Sequence, residues 1–200
     1  MILLTILAII ILTIVGMIVH SNTTSKNTIA YLIKKGKHYS VRKSDWIRLP
    51  FKLGLIKGNR LEFTFMFMGA CEYDQTKIGD EVNKVYGMSF GFDHHYRSIR
   101  LGWRHVGKGD IQILAYSYSE GKRTISYLYT VRTYNTYRAL IVKGSDQGTG
   151  ISLFDGAGNL IAKTVVKVNS TSDWFKFRLS PYFGGVPVAP NDMVIYIEEK

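Results

Sequence analysis

The sequence predicts an all-β chain, an antiparallel two-sheet β-sandwich preceded by one N-terminal transmembrane helix. Tyr and Phe are abundant, at 13 and 10 of 200 residues, and such side chains favour strands. Apolar residues alternate with period two, and Gly, Asp and Asn clusters interrupt them about every ten residues. A single antiparallel domain with this many strands must close its edges, and a jelly roll is the usual solution.

The predicted membrane helix is the apolar run 1–19, whose only polar residues are two Thr. A helix needs roughly 20 such residues to cross a bilayer. The run lacks a basic region before it and a small-residue cleavage site, so we expect a retained signal-anchor in the lipid bilayer rather than a removed signal. Residues 20–29 are small and polar and read as a linker, which leaves 30–200 as the domain.

The side of the membrane on which the domain lies stays open. The nearest lysines, from Lys26 onward, follow the apolar run, and the positive-inside rule then favours a cytoplasmic or virion-internal domain. Single-span β-sandwich proteins with such an N-terminus are mostly exported. We therefore expect a single-pass membrane protein with an extracytoplasmic domain, and the cytoplasmic or virion face as the alternative.

Ten strands are predicted from the alternation. In the segments 61–68, 86–92 and 98–104, we expect the inward residues to include Phe63, Phe65, Phe67, Met88, Phe90, Phe92, Ile99, Leu101 and Trp103. Residues 93–97 and 119–122 read as hairpin connections, and 75–85 as a short helix. The remaining predicted strands are 111–118, 123–131, 137–142, 150–155, 160–168, 174–179 and 193–197.

The net charge of +11 belongs entirely to the part of the chain from Lys26 onward. This charge favours acidic partners, among them acidic polysaccharide, although a purely solubilising role also fits. We expect no specific nucleic-acid partner because no nucleic-acid-binding motif accompanies the charge. The lone Cys71 cannot form an internal disulfide, and no Cys/His spacing indicates a zinc site, so neither a metal nor another cofactor is expected.

A candidate binding face follows from the alternation in segment 98–104. If Ile99, Leu101 and Trp103 face the core, the side chains between them face the opposite surface, and we expect these to point to solvent. Polar residues of the neighbouring strand share that surface, because same-face residues on paired strands lie close together. The predicted ligand-binding residues are Arg100, Arg104, Gln112, Tyr116 and Tyr118. Rings stack on sugars and Arg pairs with carboxylate or sulfate, whereas a solvated sheet face is the plainer alternative.

His94 and His95 occupy the first predicted hairpin connection. Adjacent residues of an extended chain point to opposite sides, so the pair is a poor metal site. Either histidine could act as a general base beside the Arg/Tyr face, although a solvated turn is the simpler reading for at least one of them.

Four segments carry short motifs: 83–91, with a Lys-x-x-Gly pattern, 98–104, with Ser-x-Arg-x-x-Trp-Arg, Tyr182-Phe-Gly-Gly185, and 189–195, which opens with Ala-Pro. Together these motifs resemble those of the concanavalin-like jelly rolls of polysaccharide lyases that cleave uronate polymers. The His-His-x-x-Ser-x-Arg pattern is also similar to that of small uncharacterised bacterial and phage proteins. The chain lacks the Gln-x-His and Tyr-x-Lys-x-Gly strands that several lyase families use.

The resemblance implies β-elimination, which requires a group that neutralises the uronate carboxylate, a base and an acid. Arg100 or Arg104 would neutralise, His94 or His95 would be the base, and Tyr116 or Tyr118 the acid. Three hypotheses remain: a membrane-anchored lectin-like module that binds acidic polysaccharide, a polysaccharide lyase, and a structural or attachment protein of a membrane-containing virus or phage. The sequence does not indicate the oligomeric state.

Overall fold

The chain folds into two antiparallel β-sheets packed face to face. The computed structural model describes residues 28–42, 54–74, 76, 78–79, 81–144, 148–168 and 175–200. Twelve strands and one short 3-10 helix, Gly69–Cys71, occupy these ranges. The predicted all-β sandwich is therefore confirmed.

The first sheet contains seven strands in the order β10-β9-β8-β3-β12-β1-β2. Their bounds are β1 Ile29–Ile33, β2 Ser40–Arg42, β3 Arg60–Phe67, β8 Tyr137–Lys143, β9 Thr149–Phe154, β10 Leu160–Val166 and β12 Met193–Glu199. The second sheet contains five strands in the order β11-β4-β5-β6-β7. Their bounds are β4 Asn83–Phe90, β5 Arg97–Gly107, β6 Asp110–Ser119, β7 Lys122–Arg132 and β11 Lys176–Leu179.

All ten predicted strands are present, with ends that differ by a few residues. The alternation missed β1, a continuous run of five apolar residues, and β2, which is only three residues long. β1 begins at Ile29, one residue before the predicted start of the domain at Ala30. It pairs with β12, so the start of the domain and its last strand share one sheet.

The helix predicted over 75–85 is wrong at its C-terminal part, because Asn83 and the residues after it form β4. The Asn83 side chain donates to the Tyr73 hydroxyl and accepts from the Gly184 amide, and the backbone of Lys84 pairs with that of Tyr182. These long-range contacts hold the segment extended, whereas local helix propensity is a weak prior.

Phe92 was expected inside with Met88 and Phe90, and this prediction is also wrong. β4 ends at Phe90, and Gly91 adopts a φ of 96°, a conformation that a glycine reaches without strain. The chain therefore leaves the sheet before Phe92, whose side chain is 80% exposed.

The core lies between the sheets and is rich in aromatic rings. Phe63, Phe65 and Phe67 of β3 are almost fully buried, as are Leu101 and Trp103 of β5. The inward faces predicted for these two strands are therefore confirmed. Trp103 contacts Phe67 with ring centroids 5.0 Å apart, and Phe65 contacts its two neighbours on β3. Ring pairs of this kind contribute beyond simple area burial.

A charged contact joins the sheets at one side. Arg178 of β11 donates from Nε to the Glu199 carboxylate of β12, at 2.5 and 2.7 Å, and the Tyr86 hydroxyl donates to the same group. Burial and the Glu199 charge raise the pKa of Tyr86 well above its ordinary value, which keeps this hydroxyl protonated.

The predicted membrane helix, 1–19, and most of the linker, 20–29, lie outside the described residues. Within the described part of the chain, no helix is long and apolar enough to cross a membrane.

Replacing Phe65 with Ala tests the packing of the core. Loss of a fully buried ring should lower the free energy of unfolding by about 3–5 kcal/mol. Urea denaturation followed by tryptophan fluorescence measures this change. Tyr127→Ala is the control, because this β7 side chain is 59% exposed and its removal should change stability by less than about 0.5 kcal/mol. Equal effects of the two substitutions would contradict the assigned core.

Candidate functional site

The candidate site lies on the face of the five-stranded sheet that is turned away from the core, here called the site face. Backbone pairing places residues of neighbouring strands side by side on it. One row across the sheet contains Gly87, Arg100, Tyr116 and Ile125, and the next contains Tyr182, Lys84, Gly102, Leu114 and Tyr127. The Arg, Gln and Tyr side chains that were predicted to share one surface do so, and the strand register places Arg100 beside Tyr116 and Arg104 beside Gln112.

Arg100 is buried, and the expectation that it points freely to solvent is wrong. Its side chain is packed among its neighbours and the residue is only 8% exposed. Burial lowers the pKa of Arg100 to about 10, while Tyr116, Tyr118 and Tyr182 act in the opposite direction. Among the described residues, no carboxylate forms an ion pair with it. Arg100 thus carries a charge at neutral pH in a place where charge is costly.

Gly87 makes the space that Arg100 occupies. A Cβ at Gly87 would lie 2.6 Å from the Arg100 Cα and 2.9 Å from its Cγ, and it would overlap the Ile99 carbonyl oxygen. A side chain on β4 at this position would therefore force the arginine and its strand away. The absence of a side chain at Gly87 is what leaves room for the arginine stem beside β4.

Lys84 is the second buried cation of the site face, at 7% exposure. Its Nζ donates to the Gly184 carbonyl over 3.0 Å and lies 4.7 Å from the centre of the Tyr116 ring and 5.4 Å from that of Tyr182. Burial, with the nearby charge of Arg100, lowers the pKa of Lys84 to about 8. A neutral amine is therefore accessible near neutral pH, which an ordinary lysine does not offer.

Three tyrosines surround these cations. Tyr116 donates a long hydrogen bond of 3.4 Å to Tyr118, and burial with this contact raises the pKa of Tyr116. Burial also raises the pKa of Tyr182. The Tyr182 ring stacks on His38, with centroids 5.4 Å apart, and contacts Tyr39 edge-on. The Tyr116 and Tyr182 hydroxyls therefore remain protonated at neutral pH and can donate a proton or a hydrogen bond.

The two histidines occupy the turn between β4 and β5, at one edge of the site face. His94 is half-buried and its ring contacts that of the exposed His95 at a tilt, with centroids 4.1 Å apart, and His95 contacts the Tyr118 ring edge-on. Burial, together with the charges of Arg100 and His95, lowers the pKa of His94 to about 4. His94 is therefore neutral at pH 7, and its imidazole can accept a hydrogen bond there.

Arg104 and Gln112 form the far row of the site face. Arg104 donates from Nε to the Gln112 side-chain oxygen over 2.8 Å, and both residues are half-buried. The structure thus places all seven predicted site residues on one face or at its edge. They are Arg100, Arg104, Gln112, Tyr116 and Tyr118 on the strands, and His94 and His95 in the turn.

Lys84 and Tyr182 were missed as site residues. Lys84 was placed in a predicted helix, and regular strand alternation would also have turned it towards the core with Tyr86 and Met88. A register shift between Lys84 and Gly87 brings it onto the site face instead. Tyr182 lies in an irregular stretch, and only its bridge to Lys84 carries it onto the site face. The Lys-x-x-Gly and Tyr-Phe-Gly-Gly patterns did contain both residues and are the signal that could have found them.

The depressed pKa of Lys84 predicts a pH dependence of stability. Between about pH 8 and 10.5 the unfolded chain holds a proton on this lysine that the folded chain has lost, so stability should rise with pH in this window. Lys84→Met should remove that rise, and Lys163→Met, at an exposed site on β10, should retain it. Chemical denaturation at pH 7.5, 8.5 and 9.5 measures the difference between the variants. Parallel profiles for all three proteins would contradict the assignment.

No protein-family model matches the chain, and no curated protein matches it. Solved structures do match. Alginate lyase Aly36B has a TM-score of 0.53 at 12% identity, over 88% of this chain and 80% of that one. A variant of Aly36B in which one lysine and one tyrosine are replaced by alanine, in complex with alginate tetrasaccharide, has a TM-score of 0.56 at 13% identity with the same coverage.

A functionally unknown protein from Saccharomyces cerevisiae matches with a TM-score of 0.52 at 9% identity, over 88% of each chain. At such low identities the similarity concerns the fold alone. The resemblance to polysaccharide lyases that the sequence indicated is thereby confirmed, and this chain has the jelly-roll β-sandwich of an alginate lyase.

Proposed function

We propose that this chain binds a uronate-containing polysaccharide on the site face and cleaves it by β-elimination. The observation that carries the proposal is Arg100, a buried guanidinium with no carboxylate partner among the described residues. A buried cation gains most from an anionic ligand that replaces the lost water. A sugar carboxylate has the planar shape that pairs with a guanidinium through two parallel hydrogen bonds.

The rings along the site face support a sugar ligand. His95, Tyr118 and Tyr116 contact one another in sequence, and Lys84 links Tyr116 to Tyr182. Aromatic rings pack against the C–H surfaces of pyranose rings. A polymer that crosses the strands would meet this track from the β4–β5 turn to Tyr182. The lyases that share this fold add support, since one of their structures is a complex with alginate tetrasaccharide.

The chemistry requires three roles. Arg100 pairs with the uronate carboxylate and so makes the proton on C5 more acidic. We assign the base to Lys84, whose neutral amine accepts that proton. The C4–O bond then breaks as the C4–C5 double bond forms, and Tyr182 or Tyr116 donates its proton to the leaving oxygen. The sequence instead suggested His94 or His95 as the base, with Tyr116 or Tyr118 as the acid.

A lectin-like module is the second candidate, and the exposed outer part of the site face favours it. Ile125 and Tyr127 of β7 are 38% and 59% exposed on this face, next to Arg123, which is exposed as well. Such a strand can hold a polymer without any chemistry. The roles as a membrane-anchored module and as a structural or attachment protein of a membrane-containing virus or phage remain predictions from the sequence.

Incubation with alginate, glucuronan and a neutral polysaccharide tests the proposal. The measurements are retention of the protein on the polymer and the ultraviolet absorbance of unsaturated uronate. We expect retention and rising absorbance with an acidic polymer only. Arg100→Gln and Lys84→Met should each lower kcat/KM at least about 100-fold, as expected for loss of charge stabilisation or of the base. Lys163→Met should leave it unchanged. Retention without new absorbance would favour the lectin-like module, and absence of both would overturn the proposal.

The pH profile of kcat/KM separates the two candidate bases. A base must be neutral to accept the proton, so activity should rise with pH around 8 if Lys84 acts. A His94 base would place that rise near pH 4 instead. Initial rates on alginate between pH 4 and 10 provide the profile, and a plateau reached below pH 6 would exclude Lys84 as the base.

A further inference from the structure

One end of the sandwich carries exposed aromatic side chains that the proposed chemistry does not use. Phe92, in the β4–β5 turn, is 80% exposed, and Phe175, just before β11, is 54% exposed. Their rings lie near each other, with centroids 6.4 Å apart, and Phe92 also contacts Phe177 at 5.1 Å. Tyr96 of the same turn is 45% exposed. We call this surface, formed by Phe92, Tyr96 and Phe175, the aromatic end.

The aromatic end lies at the side of the sandwich from which β1 starts. Lys176, next to Phe175, donates to the Gly58 carbonyl just before β3, and Arg178 contacts Glu199 at the end of β12. β1 pairs antiparallel with β12 and runs away from that end, from Ile29 beside Ile197 to Ile33 beside Met193. The amino end of β1, to which the apolar run 1–19 is joined by a short linker, therefore faces the aromatic end.

The surroundings of the aromatic end are basic. The lysines of this end are Lys57, Lys122, Lys143, Lys176 and Lys200, on segments that hydrogen bonds and strand pairing bring together. The carboxylates of this end are Asp93 and Glu120 in its turns, Glu198, and Glu62 and Glu199, which form ion pairs with arginines. The positive balance suits the negative surface potential of anionic lipids, to which each basic side chain near the surface adds attraction.

We propose that the aromatic end is a membrane-contact surface, which inserts Phe92 and Phe175 into the headgroup region of an anionic bilayer when the apolar run 1–19 is anchored there. Exposed aromatic rings with lysines around them are the composition of interfacial contact sites. The nine residues 20–28 between the apolar run and β1 are few enough to keep an anchored domain close to the bilayer, so even weak contacts are populated. The strands of the site face run away from the aromatic end, so this face would extend outward from the membrane surface and not lie against it.

Fluorescent labelling of the full chain in vesicles tests this orientation. In the Tyr96→Cys variant, the new thiol carries an environment-sensitive nitrobenzoxadiazole probe, while the native Cys71 is buried. Val186→Cys provides the control, since this residue is 87% exposed and lies near Ala189 and the end of β1, at the opposite side of the sandwich. In phosphatidylcholine–phosphatidylglycerol vesicles, the probe at position 96 should shift its emission to the blue and be quenched by spin-labelled lipid. The probe at position 186 should not.

Substitutions in the labelled background separate contact from mere tethering. Phe92→Ser with Phe175→Ser should abolish the blue shift and the quenching at position 96, although the chain still floats with the vesicles. Leu160→Ser, at an exposed apolar position of β10, should leave both signals intact. Vesicles of phosphatidylcholine alone should reduce the quenching. The proposal would be overturned if the probe at position 96 emitted as it does in water while Phe92 and Phe175 were both present. Failure of the chain to float with vesicles would also overturn it.

Discussion

The cations Arg100 and Lys84 are buried close enough together that the charge of one disfavours the charge of the other. Moving a charge out of water costs several kcal/mol unless a partner compensates for it. No carboxylate among the described residues pairs with Arg100. Lys84 donates to a backbone carbonyl beside two aromatic rings, and the charge of Glu81 offsets only part of the effect of burial and of Arg100 on it. The arrangement therefore lowers the stability of the free protein, and an anionic ligand on the site face would recover that loss.

The sandwich supplies the rigid frame that this arrangement requires. Ile99 and Leu101 anchor β5 in the core on either side of Arg100, and glycine on β4 lets the two strands approach. The Asn83 side chain holds the Gly184 amide, and the Gly184 carbonyl receives the Lys84 ammonium. The irregular segment around Gly184 thus links the core to the site face. A static frame of this kind favours preorganised charge stabilisation over ligand-induced assembly of the site.

Alternation of apolar residues was enough to predict the sheets, because strands such as β3 and β5 bury every second side chain. It was also enough to bring Arg100 and Tyr116 together, since adjacent long strands joined by a tight hairpin have little freedom of register. It did not predict β1, whose partner β12 is distant in sequence, or β2, which pairs with β1 over only three residues. Nor could it show that Arg100 is buried, because burial on the site face depends on Tyr182 and on contacts made by irregular segments.

Calorimetric titration of the Lys84→Met protein with an oligouronate, and with the same oligosaccharide after reduction of its carboxylates to alcohols, tests the central claim most directly. Loss of the carboxylate should weaken binding at least about tenfold, as expected for removal of a charge-assisted pair with Arg100. Equal affinity for the acidic and the reduced oligosaccharide would show that Arg100 is not a carboxylate site and would contradict the account.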